Sequence, residues 1–238
     1  LWENIISEPA VEEFKRLLVG QTFEKIERRG KFLVFYLTEV ALISHLRMEG
    51  KYHLVSKELP LDKHTHVIFN LDGQQQLRYN DVRKFGRMSI VSKNLAYDHR
   101  SLNKLGPEPT EEDLSVDWMI TYLKNRKKSI KGLLLDQNFV AGIGNIYTDE
   151  ILFRTKIHPE TPGGQLKEKE IKLLREKIIE VIEEAILSGG TTIRSYENSF
   201  GDPGSYQDFL NVYGKAGEPC PVCHTLIEKI KVAGRVTH

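Results

Sequence analysis

The sequence predicts an α+β chain: an N-terminal β-sandwich with a flanking helix, then a helical region and a terminal hairpin bearing two cysteines. Three observations carry this expectation. Residues Thr22 to Ser92 read as short β-rich runs broken by turns, the pattern of a sandwich. From Thr110 to Leu187 apolar side chains recur at helical spacing. Residues 209 to 238 read as a hairpin in which Cys220 and Cys223 stand at metal-ligand spacing.

Each element has its own warrant. Val11, Phe14, Leu17 and Leu18 lie on one helical face ahead of Gly20, which predicts a short amphipathic helix over 9–19. Strands are expected at Phe32–Leu37, Leu42–Leu46, Tyr52–Val55, His66–Leu71, Gln76–Tyr79 and Met88–Val91, with Asp72-Gly73 as a hairpin turn. Leu105-Gly106-Pro107-Glu108-Pro109 reads as a linker. Thr110 with Asp113 is spaced like a capping box and predicts a helix from there through Leu123. Three further helices are expected around Ser129–Leu135, Ile146–Arg154 and Lys167–Leu187, the last stopped by Gly189-Gly190. The chain has no internal repeat.

Composition narrows the function classes. The 34 basic residues nearly cancel the 33 acidic ones, so the net charge of +1 does not announce a nucleic-acid binder. The basic residues are instead clustered, in Arg28-Arg29-Gly30-Lys31 and in Lys124-Asn125-Arg126-Lys127-Lys128 with Lys131; such runs are most often solvated faces. No apolar run approaches membrane-spanning length and no secretory signal pattern is visible, which points to the cytoplasm. One Cys-x-x-Cys pair favours zinc in a reducing compartment over a disulfide.

The most informative segment is Asp136 to Leu152, DQNFVAGIGNIYTDEIL. Two helical patterns flank a turn holding Gly142 and Gly144, and Asn145 opens the second helix. Glycines let backbone approach a ligand closely, and a helix start offers unpaired N–H groups to an anion. The same spacing also suits an ordinary tight helical hairpin. Around it stand RRGKFL (Arg28 to Leu33), SHLRMEG (Ser44 to Gly50), DVRKFG (Asp81 to Gly86), GGTTIRSY (Gly189 to Tyr196), CPVC (Cys220 to Cys223) and VAGRVTH (Val232 to His238).

This ordered set resembles the formamidopyrimidine-DNA glycosylase family, bacterial enzymes that excise oxidised purines, over essentially the whole chain. The resemblance implies a catalytic β-sandwich over 1–104 without its first helix, a helix-two-turn-helix domain over 105–208 and an incomplete zinc hairpin over 209–238. It implies a monomer that holds damaged double-stranded DNA in a cleft between its lobes. The implied activity is bifunctional: excision of 8-oxoguanine and formamidopyrimidines, then strand nicking by β,δ-elimination. Family members begin with Pro-Glu, the proline being the nucleophile, and end with a second Cys-x-x-Cys. This chain begins Leu1-Trp2-Glu3-Asn4 and stops at His238, so the expectation is an internal fragment, inactive in base excision as it stands. Two alternatives remain: a catalytically dead homologue that binds damaged DNA, and a glycosylase of the related oxidised-pyrimidine branch.

Residue roles follow from the same resemblance. Lys31 is implied to contact the phosphate beside the lesion and assist β-elimination, although alone it reads as an edge-strand lysine. Arg235 is implied to support δ-elimination. Met48, Arg83 and Phe85 are implied to fill the void left when a base leaves the duplex, a step costing a few kcal/mol; Met48 and Phe85 could otherwise be core. His45, His64, Arg126, Asn145, Tyr213 and Lys229 match DNA-holding positions, and Arg83 serves there too. Glu49, Thr192, Arg194, Ser195 and Tyr196 match the surroundings of the flipped base. Cys220 and Cys223 are half of a four-cysteine zinc site; His224 is a poor substitute ligand and His238 would supply only a third. Val236 stands where the family carries glycine, and a β-branched residue disfavours positive φ, so a disturbed placement of Arg235 is expected.

Overall fold

β-Branched and aromatic runs in the first hundred residues pair into two small sheets. The computed structural model describes residues 2–192 and 203–238. Its first unit runs to Asn103 and contains β1 (Ile6–Glu8), α1 (Val11–Leu18), β2 (Phe23–Arg29), β3 (Phe32–Leu37), β4 (Val40–His45), β5 (Lys51–Ser56), β6 (Thr65–Asn70), β7 (Gln75–Asn80) and β8 (Arg87–Ser92). One sheet has the order β1-β8-β4-β3-β2 and the other β5-β7-β6. β4 is central and buried along nearly its whole length, which explains its near-continuous apolar sequence. Phe35, Leu37 and Leu42 of the first sheet share one core with Phe69 and Tyr79 of the second. Edge-to-face rings run through it: Phe23 to Phe35 at 5.9 Å and Phe35 to Tyr52 at 5.1 Å.

The expected sandwich is therefore present, with two strands that the sequence pattern did not reveal. β1 is three residues long and pairs parallel with β8. β2 reads FEKIERR, an edge strand whose charged side chains face solvent; charge on an edge suppresses strand addition but erases apolar alternation. The Asp72-Gly73 turn does connect β6 and β7, with Gly73 at φ 66°.

The second unit, from Lys104 onward, holds α2 (Val116–Leu123), α3 (Ile130–Leu134), α4 (Asn145–Thr155), α5 (Glu168–Leu187), β9 (Ile230–Val232) and β10 (Arg235–Thr237). Leu114, Met119, Leu133, Phe139, Ile151, Leu174 and Ile178 form its core. The helix expected from Thr110 starts six residues later. Thr110 Oγ1 accepts the Asp113 N–H at 3.1 Å and closes only a turn, whereas Ser115 caps α2 by accepting the Trp118 N–H at 3.2 Å. α5 begins with one arm of a capping box, the Glu170 carboxylate accepting the Lys167 N–H at 2.8 Å. It ends where Gly189 and Gly190 take φ of 69° and 91°. Among the described residues, no helix is long and apolar enough to cross a membrane.

Candidate nucleic-acid interface

In the first unit, β2 and β3 join through Gly30 and Lys31, with Gly30 at φ 56°. That conformation favours glycine at the first position of a tight hairpin and leaves Lys31 exposed at its tip, not within an edge strand. The Arg28 guanidinium donates to the Gly30 carbonyl at 3.0 Å and braces the turn. At the near end of β4, His45 pairs with Phe32, ring edge to ring face at 4.6 Å. Its Nδ1 accepts the Arg47 N–H at 2.9 Å. Burial, reinforced by the Arg47 and Lys31 charges, pushes the imidazole down to about 4. His45 is therefore neutral at neutral pH, and with Nδ1 accepting, Nε2 carries the proton and can donate to an anion.

Met48 and the loop after β7 meet at the surface. Arg83 Nη1 donates to Met48 Sδ at 2.9 Å, and the same guanidinium lies 4.6 Å over the Phe85 ring. Met48 is 71% exposed and Phe85 49%, so neither is core. Glu49 is half-buried in the turn that follows Met48. His64 is placed by its backbone: its N–H donates to Asp62 Oδ1 at 2.7 Å and its carbonyl accepts the Asp81 N–H at 3.0 Å.

In the second unit, the α3–α4 turn is built around a residue that the motif reading did not single out. Gln137 Oε1 accepts the Gly142 N–H at 2.9 Å, while its Nε2 donates to the Leu135 and Ile143 carbonyls. Gly142 takes φ 87°, and the chain then enters α4 at Asn145. Asn145 Nδ2 donates to the Val236 carbonyl at 3.0 Å, and Asn145 Oδ1 is buried without a protein partner.

Lys131 corrects the sequence reading. It is not part of a solvated basic run but fully buried, donating to Asp149 Oδ1 at 2.5 Å and to the Val236 carbonyl at 2.9 Å. Burial lowers its pKa and the Asp149 carboxylate opposes that shift. Asp149 Oδ2 in turn accepts the His238 N–H and contacts His238 Nδ1, both at 3.1 Å. The network thus fixes β10 against α3 and α4. Arg235 opens β10 after a turn in which Ala233 and Gly234 have φ of 50° and 75°, and it is exposed. The expected conflict at Val236 does not arise. Val236 sits in the ladder opposite Lys231, is not among the positive-φ residues, and offers the very carbonyl that Lys131 and Asn145 bind.

Tyr213 is positioned by another unforeseen residue. The buried Glu150 carboxylate accepts four hydrogen bonds of 2.8–3.0 Å, from the N–H groups of Asn211, Val212 and Tyr213 and from Asn211 Nδ2. The Tyr213 ring then stands 5.1 Å from His238. Arg126 is exposed, stacked 4.5 Å over the Tyr122 ring. Lys229 is exposed just ahead of β9. Thr192 accepts the Gly204 N–H at 2.9 Å through Oγ1. Arg194, Ser195 and Tyr196 lie outside the described residues.

The cysteines form a tight knuckle. Cys220 N–H donates to the Thr225 carbonyl at 2.8 Å, the His224 N–H to the Cys220 carbonyl at 2.9 Å, and the Val222 N–H to Cys220 Sγ at 3.4 Å. Hydrogen bonds from Thr225, then from Cys220, hold the exposed Cys223 thiol below its usual value. Two thiolates are half of a closed tetrahedral set. Among the described residues, no group of three or more His, Cys, Asp or Glu converges, and His238 is committed to Asp149 instead. The donors present therefore do not by themselves fit a structural zinc site.

A β-sandwich unit followed by paired helices around an Asn-headed α4 defines a helix-two-turn-helix class of protein. Residues 105–197 match the formamidopyrimidine-DNA glycosylase H2TH domain, and residues 1–88 match the formamidopyrimidine-DNA glycosylase N-terminal domain. The chain belongs to the formamidopyrimidine-DNA glycosylase family. It is 50% identical to the formamidopyrimidine-DNA glycosylase of Enterococcus faecalis over 237 residues, covering the whole chain and 85% of that relative. The Bacillus subtilis protein is also 50% identical, with 86% of its length covered. Among solved structures, the Lactococcus lactis Fpg complex with abasic-site DNA aligns at a TM-score of 0.92 and 45% identity, over the whole chain and 87% of that protein. The Lactococcus lactis complex with Fapy-dG DNA aligns at 0.92 and 44%, with the same coverage.

Proposed function

We propose that this chain serves DNA base-excision repair as a glycosylase and abasic-site lyase directed at oxidised purines such as 8-oxoguanine and formamidopyrimidines. The observation that carries the reading is the convergence of Met48, Arg83 and Phe85 as an exposed wedge within one unit. A flexible thioether, a planar cation and an aromatic ring suit a gap in a base stack: one fills, one hydrogen-bonds the orphaned base, one unstacks its neighbour. Lys31 is assigned to the phosphate beside the lesion and to β-elimination, and Arg235 to δ-elimination. His45, His64, Arg126, Asn145, Tyr213 and Lys229 are assigned to holding the backbone. Asn145 has the most direct support, since it heads α4, and a helix start suits an anion. Glu49, Thr192, Arg194, Ser195 and Tyr196 are assigned to the flipped base.

The partner is double-stranded damaged DNA, bound by a monomer in the cytoplasm. The organisation proposed is a sandwich over 1–104, a helix-two-turn-helix region over 105–208 and a hairpin over 209–238. Cys220 and Cys223 are assigned as two ligands of the family's structural zinc ion, and among the described residues no third or fourth ligand converges on them.

The test is a pair of measurements on matched duplexes. Binding to a duplex with a tetrahydrofuran abasic analogue is compared with binding to its undamaged counterpart; equal affinity would remove the repair reading. Excision is then scored on 8-oxoguanine and thymine glycol duplexes. Preference for 8-oxoguanine supports the oxidised-purine assignment. Preference for thymine glycol supports the pyrimidine branch, and lesion binding without excision from either by a chain that carries the family's Pro-Glu start supports a binding-only homologue.

A further inference from the structure

The wedge is carried by two segments that have little core of their own: the turn from Leu46 to Gly50, and the loop from Asp81 to Gly86. What joins them lies beneath the surface. Asp81 is 1% exposed. Its Oδ1 accepts the Arg83 N–H at 3.0 Å, and its Oδ2 accepts the Gly86 N–H at 2.8 Å and the Tyr79 hydroxyl at 3.2 Å. Its backbone is equally engaged: the carbonyl contacts His66 Nε2 at 2.9 Å, and the N–H donates to the His64 carbonyl. Among the described residues, every partner of its carboxylate is a neutral donor. Burying a carboxylate with no bonded cation is costly and is tolerated where several donors converge on it.

Tyr79 extends the bolt to the second segment. A Cβ on Gly86 would fall 1.8 Å from the Tyr79 hydroxyl oxygen, and one on Gly50 would fall 2.3 Å from it. The phenol therefore lies directly against the backbones of both segments, in space that only glycine leaves open. Burial first, then the Asp81 carboxylate, pushes its pKa up, so it stays a hydrogen-bond donor. The two segments touch again at the surface through Arg83 and Met48.

We propose that Asp81, acting with Tyr79, is a positioning residue that locks the Met48 turn and the Arg83–Phe85 loop into one preformed wedge. The proposal rests on the wedge reading given above and deepens it. Opening a base stack costs a few kcal/mol, and side chains that had to be ordered at that moment would return less of it. Asp81 does not touch DNA in this account; it acts through Arg83 and Gly86.

The test is a mutant cycle read as a ratio, the affinity for a tetrahydrofuran abasic duplex divided by that for the undamaged duplex. Because both are measured on one preparation, any misfolded fraction cancels. Asp81→Asn should lower the ratio by about tenfold in the native background. In a Met48→Ala/Arg83→Ala/Phe85→Ala background it should change the ratio by less than about twofold, because the wedge it positions is gone. Tyr79→Phe, which keeps the carboxylate and most of the packing, should show a smaller loss with the same dependence on background. Equal losses in both backgrounds, or no loss in the native one, overturn the proposal and leave the wedge standing. If Met48→Ala/Arg83→Ala/Phe85→Ala itself leaves the ratio unchanged, the wedge reading fails and the proposal falls with it.

Discussion

His45 shows how one residue's surroundings set its chemistry. The fold depresses its pKa from 6.5 to about 4, chiefly by burial, so the folded state resists protonation. The stability associated with the neutral ring is complete above pH 6.5 and is lost as pH falls through 4. An NMR titration of free protein should find His45 neutral at pH 5.5; a midpoint near 6.5 would contradict the description. Asn145 and Arg126 offer a second contrast. Asn145→Ala should weaken duplex binding without changing its salt slope, since no charge is lost. Arg126→Ala should reduce that slope by about one. Motif residues such as Met48, Arg83, Phe85 and Asn145 could be read from the sequence because their types and spacing carry the signal. Asp81, Gln137 and Glu150 could not. The Asp81 and Gln137 side chains bond groups within six residues of themselves, and Glu150, inside α4, bonds residues 211 to 213; the sequence shows each polar residue but not the chain that folds around it.

The elements that hold the interface depend on pairs formed across sequence distance. Lys131 sits in a basic run, yet it faces Asp149 and the carbonyl of Val236. Removing its counter-charge should be severe: Asp149→Ala should cost about 3–5 kcal/mol in urea unfolding, because it strands a buried ammonium. A loss below about 1 kcal/mol, the range of a surface pair, would contradict that burial. Val236→Gly should destabilise the β9–β10 hairpin by about 0.5–1 kcal/mol, since the residue occupies an ordinary strand position; a gain in stability would show that glycine is needed there. The helices with strong apolar periodicity were legible, α5 nearly to the residue. β2 was not, because an edge strand covered in charge has no alternation to read. The late start of α2 turned on which of two hydroxyls, Thr110 or Ser115, becomes the cap, and only packing decides that.

Across the whole molecule, charge is nearly balanced at +1, so attraction to a polyanion must come from local cations. Lys31, Arg126 and Lys229 are assigned to the DNA backbone, and Arg235, assigned to cleavage of the strand, is the fourth cation counted with them. Together they predict a slope of about −3 to −4 for log affinity against log salt; a slope near zero would remove them from the interface. Fold class and family were both legible from ordered motifs, whereas the hydrogen bonds beneath Met48, Arg83 and Phe85 were visible only in the structure. The most direct test of the central claim places 2-aminopurine opposite a tetrahydrofuran site and follows its fluorescence as the protein is added. The account predicts a rise with the native chain and none with the Met48→Ala/Arg83→Ala/Phe85→Ala variant at saturating protein. An equal rise with both, or no change with either, would contradict it.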